Sequence, residues 1–487
     1  MLKILNIVFR VRLYRRCAVL LIISIMPFML LPSTFPRSSS PIIEAQASLS
    51  TESINLSDST TNSFSPQLAI SKSRSQNGND CVYVVWSDNV NATGNGDIYF
   101  KRSVDNGTSF GNIQNLSTNP GNSTAAQIAA YQDKVYVVWE DATTGNGDIY
   151  FKRSVDNGAS FGNTKNLSNN TSYSDSFHTA ISGSNVYVVW SDNATGNGDI
   201  YFKRSVDNGT SFGNTENLSN DNGKSYGAQI VISGNNIYVV WADDSTGNGD
   251  IYFKRSVDNG TSFGSTQNLS TNPGNSTAAQ IAAYQDNVYV VWEDATTGNG
   301  DIYLKASLDN GTKFSGQKVL AKNNGSSFNP QIAVSPNNII YGIWQDDTPY
   351  DRSKNTTSET KSVDVLYRVS LDSGRNFTTR NTIGKDIGDS AEFAQIAAVH
   401  NETHSGRIND AHVVWSDILK YRQPFNLEVF YQTIANNGTA LSDPINLSNN
   451  DGNSTMPKVA ISERNSVYVV WVDESTGNGD IYFTRAN

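Results

Sequence analysis

The sequence predicts an all-β chain folded as a single β-propeller of four-stranded blades, eight in number, with seven blades plus an irregular unit as the alternative. Three observations carry this expectation. Eight tryptophans, Trp86, Trp139, Trp190, Trp241, Trp292, Trp344, Trp415 and Trp471, each have an aspartate two residues later. The first six lie 51 to 53 residues apart and the last two follow at 71 and 56, a period that belongs to propellers and solenoids. Around each tryptophan, four short runs rich in apolar and β-branched residues alternate with Gly, Asn, Asp and Ser clusters, the pattern of short strands joined by turns.

The first 47 residues stand apart. Lys3, Arg10, Arg12, Arg15 and Arg16 make a basic start, Cys17 to Leu31 is apolar apart from Ser24 and Pro27, and Ala45-Gln46-Ala47 offers a small-residue cleavage site. This is the pattern of a cleaved secretory signal, too short for a membrane span, and it predicts a secreted or cell-surface protein. Removing residues 1–47 leaves 30 basic and 45 acidic residues, a net charge of −15. Such a surface argues against nucleic acid and anionic membranes as partners. Only Cys81 remains after cleavage, so stability has to come from packing and closure, without an internal disulfide. No second apolar span follows, and the mature chain is expected to be a monomer.

Along residues 48–487 the runs can be counted. The Trp slots mark eight second strands. Eight third strands each open with an acid: Asp97, Asp148, Asp199, Asp250, Asp301, Asp364, Glu428 and Asp480. Fourth strands begin early, at Asn55-Leu56, and continue through Asn115-Leu116 to Asn446-Leu447, so the chain opens with a fourth strand and ends after a third. The two end pieces are expected to complete one blade and so close the ring, which leaves no free sheet edge.

Six units carry the turn Ser-x-Asp-x-Gly-x-x-Phe: Ser103 to Phe110, Ser154 to Phe161, Ser205 to Phe212, Ser256 to Phe263, Ser307 to Phe314 and Ser370 to Phe377. The Asn-Gly pair in the first five favours positive φ, and the Asp side chain can accept turn N–H groups. This turn resembles the Asp-box, or BNR repeat, of the sialidase superfamily of β-propellers, over nearly the whole mature chain. The resemblance implies that Asp105, Asp156, Asp207, Asp258, Asp309 and Asp372 are structural and lie opposite the active-site face. It also implies that a sialidase would need an arginine cluster, a Tyr nucleophile with a Glu partner, and an Asp acid/base. Arg102, Arg153, Arg204 and Arg255 recur at one repeat position and read as blade-surface residues, so no catalytic residue carries over.

Two further features bear on function. The Trp-x-Asp and Thr-Gly-Asn-Gly-Asp frames flank the second-to-third turns, and the pairs Asp141 with Asp148 and Asp294 with Asp301 are weak candidates for calcium, against hairpin capping. Units six and seven break the frame on that same face. Tyr350, Asp351 and Arg352 fall in one long insertion, and Lys420, Tyr421 and Arg422 in the next, and these loops are the candidate binding site. His400, His404 and His412 lie in unit seven, but His400 and His404 flank a loop sequon at Asn401 and do not read as a zinc site. More than twenty Asn-x-Ser/Thr sequons, among them Asn122 and Asn275, are possible glycan acceptors. The expected function is a binding or structural module with a glycan or surface-protein partner; the alternative is a sialidase-like glycoside hydrolase with a diverged site.

Overall fold

The computed structural model describes residues 52–72, 78–89, 95–347, 363–385, 387–388, 390–398, 410–419, 425–440 and 442–486. The leader expected over residues 1–47 lies outside them. Among the described residues the chain forms eight antiparallel sheets of four strands each. Blade 1 consists of Ser63–Lys72, Asp80–Asp88, Asp97–Ser103 and Gln114–Asn115, and blades 2 to 7 repeat that order. Blade 8 takes Ser454–Ile461, Val467–Asp473 and Asp480–Arg485 from the C-terminal end and Ile54–Asn55 from the start. Ile54 pairs with Phe483 and Asn55 with Tyr482, which is the expected closure. First strands of neighbouring blades touch all the way round, including those of blades 8 and 1, so eight blades, not seven, complete the ring.

The core follows from the Val-Tyr-Val-Val-Trp run. A strand apolar at successive positions buries both its faces, and in blade 2 Val135, Tyr136, Val137, Val138 and Trp139 are fully buried. Alternation then divides them. Val135, Val137 and Trp139 pack with Tyr83, Val85 and Phe100 of blade 1, whereas Tyr136 and Val138 pack with Val186, Val188 and Trp190 of blade 3. The hydrophobic layers therefore lie between blades. The seam between blades 8 and 1 is built alike, with Trp86 against Tyr468, Val470 and Phe483.

The Ser-x-Asp-x-Gly-x-x-Phe turns join third to fourth strands. In blade 1, Asp105 Oδ1 accepts Ser103 Oγ at 2.6 Å and Ser109 N at 2.9 Å. Asp156, Asp207 and Asp258 repeat this, and Asp309 and Asp372 take the N–H of Lys313 and Asn376 in the same way. These bonds hold the Asp207 and Asp258 carboxyls well below the usual range. The turn phenylalanine crosses to the preceding blade: Phe161 meets Phe100 edge-on at 4.9 Å. The arginines expected on blade surfaces are instead staples between blades. Arg102 donates to Asn157 O at 2.8 Å, Arg153 to Asn208 O at 2.8 Å, Arg204 to Asn259 O at 2.9 Å and Arg255 to Asn310 O at 2.6 Å. A guanidinium reaches a turn carbonyl that lies beyond the end of its own blade.

One feature escaped the sequence. Every first strand carries a β-bulge, with the register slipping between Phe64 and Gln67 in blade 1 and at the matching step in all eight. A residue at positive φ sits in each bulge: Ser65, Ala125, Ser176, Gly227, Ala278, Asn329, Phe393 and Met456. Bulges bend a strand and re-aim its side chains. Two residues on, where pairing resumes, stand Gln67, Gln127, His178, Gln229, Gln280, Gln331, Gln395 and Lys458 around the inner strands.

Gly158 shows how closely turns and neighbouring blades fit. It has φ +75°, and a Cβ there would stand 2.6 Å from Phe100 of blade 1. Gly158→Ala is expected to destabilise by about 1–3 kcal/mol, whereas Gly316→Ala, in open space, leaves the melting temperature unchanged. Equal melting temperatures for both variants would contradict the inter-blade fit.

Candidate functional site

The second-to-third turns and the starts of the first strands share one face. Two acids lie opposite each other at the base of every such hairpin, Asp88 with Asp97 in blade 1, Asp141 with Asp148 in blade 2 and Asp294 with Asp301 in blade 5. Burying such pairs needs many donors. Asp141 accepts Asn119 Nδ2, Ser123 Oγ at 2.8 Å, Trp139 Nε1 at 3.1 Å and Thr143 N at 2.9 Å. Asp148 accepts Thr144 Oγ1 at 2.7 Å, Asn166 Nδ2 at 2.9 Å and Ser168 Oγ at 2.7 Å. Asp294 is held in the same way by Asn272, Ser276 and the Thr296 N–H. The carboxylates offered to calcium by the sequence thus serve as clamps within the blade. Among the described residues no group of three or more His, Cys, Asp or Glu side chains is set to hold a metal ion. Asp301 is held less completely: blade 5 has Val319-Leu320-Ala321 where six blades have Asn-Leu-Ser, its Oδ1 is buried without a partner among the described residues, and burial raises its carboxyl.

A second device seals the seams between blades. The frame asparagine donates to carbonyls of the next blade, as Asn248 does to Asn272 O at 3.1 Å and Gly274 O at 2.9 Å. A returning asparagine, one residue before the first strand, accepts the N–H of the frame glycine. The bonds are Gly96 N to Asn122 Oδ1 at 2.7 Å, Gly249 N to Asn275 at 3.0 Å and Gly479 N to Asn62 at 3.1 Å. Asn453 accepts Leu427 N at 3.2 Å in the same role. The amides of Asn122 and Asn275, which the sequence offers as glycan acceptors, are therefore engaged in these latches. At the other four seams the latch residue is Tyr173, Lys224, Ser326 or Ser390.

At two of these four seams, those of Lys224 and Ser390, a pocket opens on the face. Beyond Ser390 a pocket of about 410 Å³ lies between blades 6 and 7, lined by Phe328, Gln331, Gln345, Glu392, Phe393 and Gln395 among others. Phe393 is 38% exposed although it stands in a strand. Burial raises the Glu392 carboxyl, and its side chain makes no hydrogen bond or ion pair among the described residues. Glu293 of blade 5, beside Asn329 of the blade 6 first strand, is raised by burial too. Behind the pocket, Asp417 lacks the Ser and Asn donors of the other blades and accepts only Ser390 N at 3.1 Å and Ile418 N at 2.8 Å of the backbone groups around it. Burial, helped by the nearby Asp364 charge, pushes its carboxyl up to about 7. A second pocket, of about 570 Å³, opens between blades 3 and 4 beside Lys224. At the seam before it, Tyr173 donates to Glu140 Oε1 at 2.7 Å, and the Asp175 charge raises both groups further.

Of the loop residues singled out in the sequence, Tyr350, Asp351, Arg352, Lys420, Tyr421 and Arg422 lie outside the described residues, as do His400 and His404. Their flanking strands end at Asp346 and Ile418, on the pocket-bearing face of blades 6 and 7. His412 is buried against the Tyr431 hydroxyl at 2.6 Å, and burial lowers it to about 4, which fits packing rather than a ligand role. Glu140, Asp175, Glu392 and Phe393 were missed. Their signal was present: they occupy the few strand positions at which otherwise uniform blades differ.

No family model matches the chain, and no curated protein matches it. Among solved structures it is similar to an α-L-arabinofuranosidase from Fusarium graminearum at 12% identity, over 65% of this chain and 92% of that one, with a TM-score of 0.39. It is similar to the NanB sialidase from Streptococcus pneumoniae at 10% identity, over 89% and 70% of the two chains, TM-score 0.37. A leech intramolecular trans-sialidase matches at 10% identity, over 86% and 67%, TM-score 0.35. At these values the likenesses say nothing of activity.

Asp417 gives a pH-dependent expectation. Its folded pKa is raised from 3.8 to about 7, so its contribution to stability is complete below about 4 and is lost as pH rises through 7. Asp417→Asn keeps both backbone bonds without a charge. Relative to the variant, the native chain should lose a few degrees of melting temperature between pH 5 and pH 8. Parallel pH profiles would contradict a buried, proton-bearing Asp417.

Proposed function

We propose that this is an exported Asp-box β-propeller that binds a glycan at the pocket between blades 6 and 7. The observation that carries the reading is the composition of that pocket: Phe328 and Phe393, Glu392, which has no partner among the described residues, and the amides Gln331, Gln345 and Gln395 around about 410 Å³. Aromatic rings cover the apolar faces of a sugar ring, while carboxylates and amides answer its hydroxyls. Pockets built from apolar surface with a few polar groups are the usual form of small-molecule sites. The six Ser-x-Asp-x-Gly-x-x-Phe turns support placing the chain with the Asp-box propellers of the sialidase superfamily, and the basic-then-apolar leader supports export.

A second reading, glycoside hydrolysis, is favoured by the Tyr173–Glu140 bond of 2.7 Å with Asp175 nearby. Those are the residue types that the sialidase resemblance calls for. None of the described arginines lines either mouth pocket, which is why binding ranks first.

Screening the purified chain on a glycan array tests the proposal. Phe393→Ala and Glu392→Thr install residues that blades 2 and 5 already carry at these positions, Ala125 with Thr124 and Ala278 with Thr277. Each should weaken glycan binding by about tenfold or more, roughly 1.4 kcal/mol, without loss of folding. Binding that ignores both variants would move the site elsewhere, and turnover of a fluorogenic sialoside that depends on Tyr173 would put the hydrolytic reading first. Protein recovered outside the cell should begin at Ser48; an intact N-terminus would contradict cleavage of the leader.

A further inference from the structure

We infer that the pocket between blades 3 and 4 is a second, separate ligand site that takes a small zwitterion of the α-amino acid type. It opens because the latch at this seam is lost. In blades 1, 2, 5 and 8 the residue before the first strand is Asn62, Asn122, Asn275 or Asn453, and its amide seals the seam. In blade 4 it is Lys224, whose longer side chain cannot accept a hydrogen bond. Gly198, the matching frame glycine, is left at φ +85° with no side-chain acceptor for its N–H among the described residues.

The walls then carry charges that the repeat does not have, Asp175 and Lys224. Asp175 stands where blades 2, 5 and 8 have Thr124, Thr277 and Thr455. Ser191, at the position that blades 1 and 7 fill with Ser87 and Ser416, also lines the pocket, and like theirs its Oγ is buried without a partner among the described residues. Tyr173 and Tyr226 supply aromatic surface, with Lys224 Nζ 6.0 Å from the Tyr226 ring centre. Asp175 and Lys224 face the same space, yet they form no ion pair within 4.0 Å. Opposite charges held apart in one pocket leave a separate demand at each end. A ligand ammonium answers Asp175, and a ligand carboxylate answers Lys224 and the Gly198 N–H. A neutral sugar would satisfy neither charge. The volume of about 570 Å³ admits such a molecule with solvent to spare.

Calorimetric titration of the purified chain with glycine, L-serine and L-lysine tests this, with methyl glucoside as the neutral control. At least one zwitterion should bind at one site per chain, and the glucoside should not compete. Lys224→Asn restores the latch that four blades carry, and Asp175→Thr restores the residue of three; both should fold as well as the native chain and weaken binding by at least about tenfold. The Phe393→Ala variant should bind the zwitterion unchanged, which separates this site from the one between blades 6 and 7. No heat with any zwitterion, displacement of the bound zwitterion by the glucoside, or binding that ignores both Lys224→Asn and Asp175→Thr would overturn the proposal.

Discussion

A buried carboxylate at the foot of each second-to-third hairpin holds the ring together. In blades 2, 3, 6 and 8 the acid two residues after the Trp ties the tryptophan, the first strand of its own blade and the loop arriving from the blade before, as Asp473 does with Trp471, Ser454 and Asn450. In six blades the acid that opens the third strand also ties the fourth. Asp480 shows what this does for closure: Asn55 Nδ2 at 3.0 Å, Ser57 Oγ at 2.7 Å and Ser59 N at 3.0 Å all donate to it, across more than 400 residues of chain. A lone ionised carboxyl in such a place would be costly, and three or four donors remove that cost. The same motif that fills each blade therefore also joins the two ends of the chain.

Function in such a scaffold has to come from exceptions. A fully latched and clamped seam presents few unsatisfied polar groups to a ligand. The two mouth pockets lie at seams where the returning asparagine has become Lys224 or Ser390, and acids with raised carboxyls, Asp175 and Glu392, stand beside them. Asp417 marks the same relaxation deeper inside blade 7, where burial pushes a carboxyl without its Ser and Asn donors up to about 7. At these two of the four seams without the asparagine, a cavity stands where the latch is missing.

The ring itself was legible in the residues. Trp slots, acid-led third strands and a displaced set of fourth strands fix the blade count and the closure, because burial on both faces leaves a mark at every strand. The bulges left none: the residue at positive φ is Ser, Ala, Gly, Asn, Phe or Met, so no glycine signal repeats. The latches were hidden for another reason. Asn122 and Asn275 read as sequons, and only their distances to Gly96 N and Gly249 N reveal the bond. The candidate site was half legible. Units six and seven were recognisable as irregular, and the pocket lies there, but its working residues come from the first strand of each blade rather than from the long loops.

Amide exchange at the frame glycines tests most directly whether latch occupancy decides where the face opens. The account predicts slow exchange at Gly96, Gly249 and Gly479, whose N–H groups are held by asparagine, and fast exchange at Gly198. Equal protection at all four would mean that the seam beside Lys224 is sealed like the others, and the link between lost latches and ligand pockets would fail.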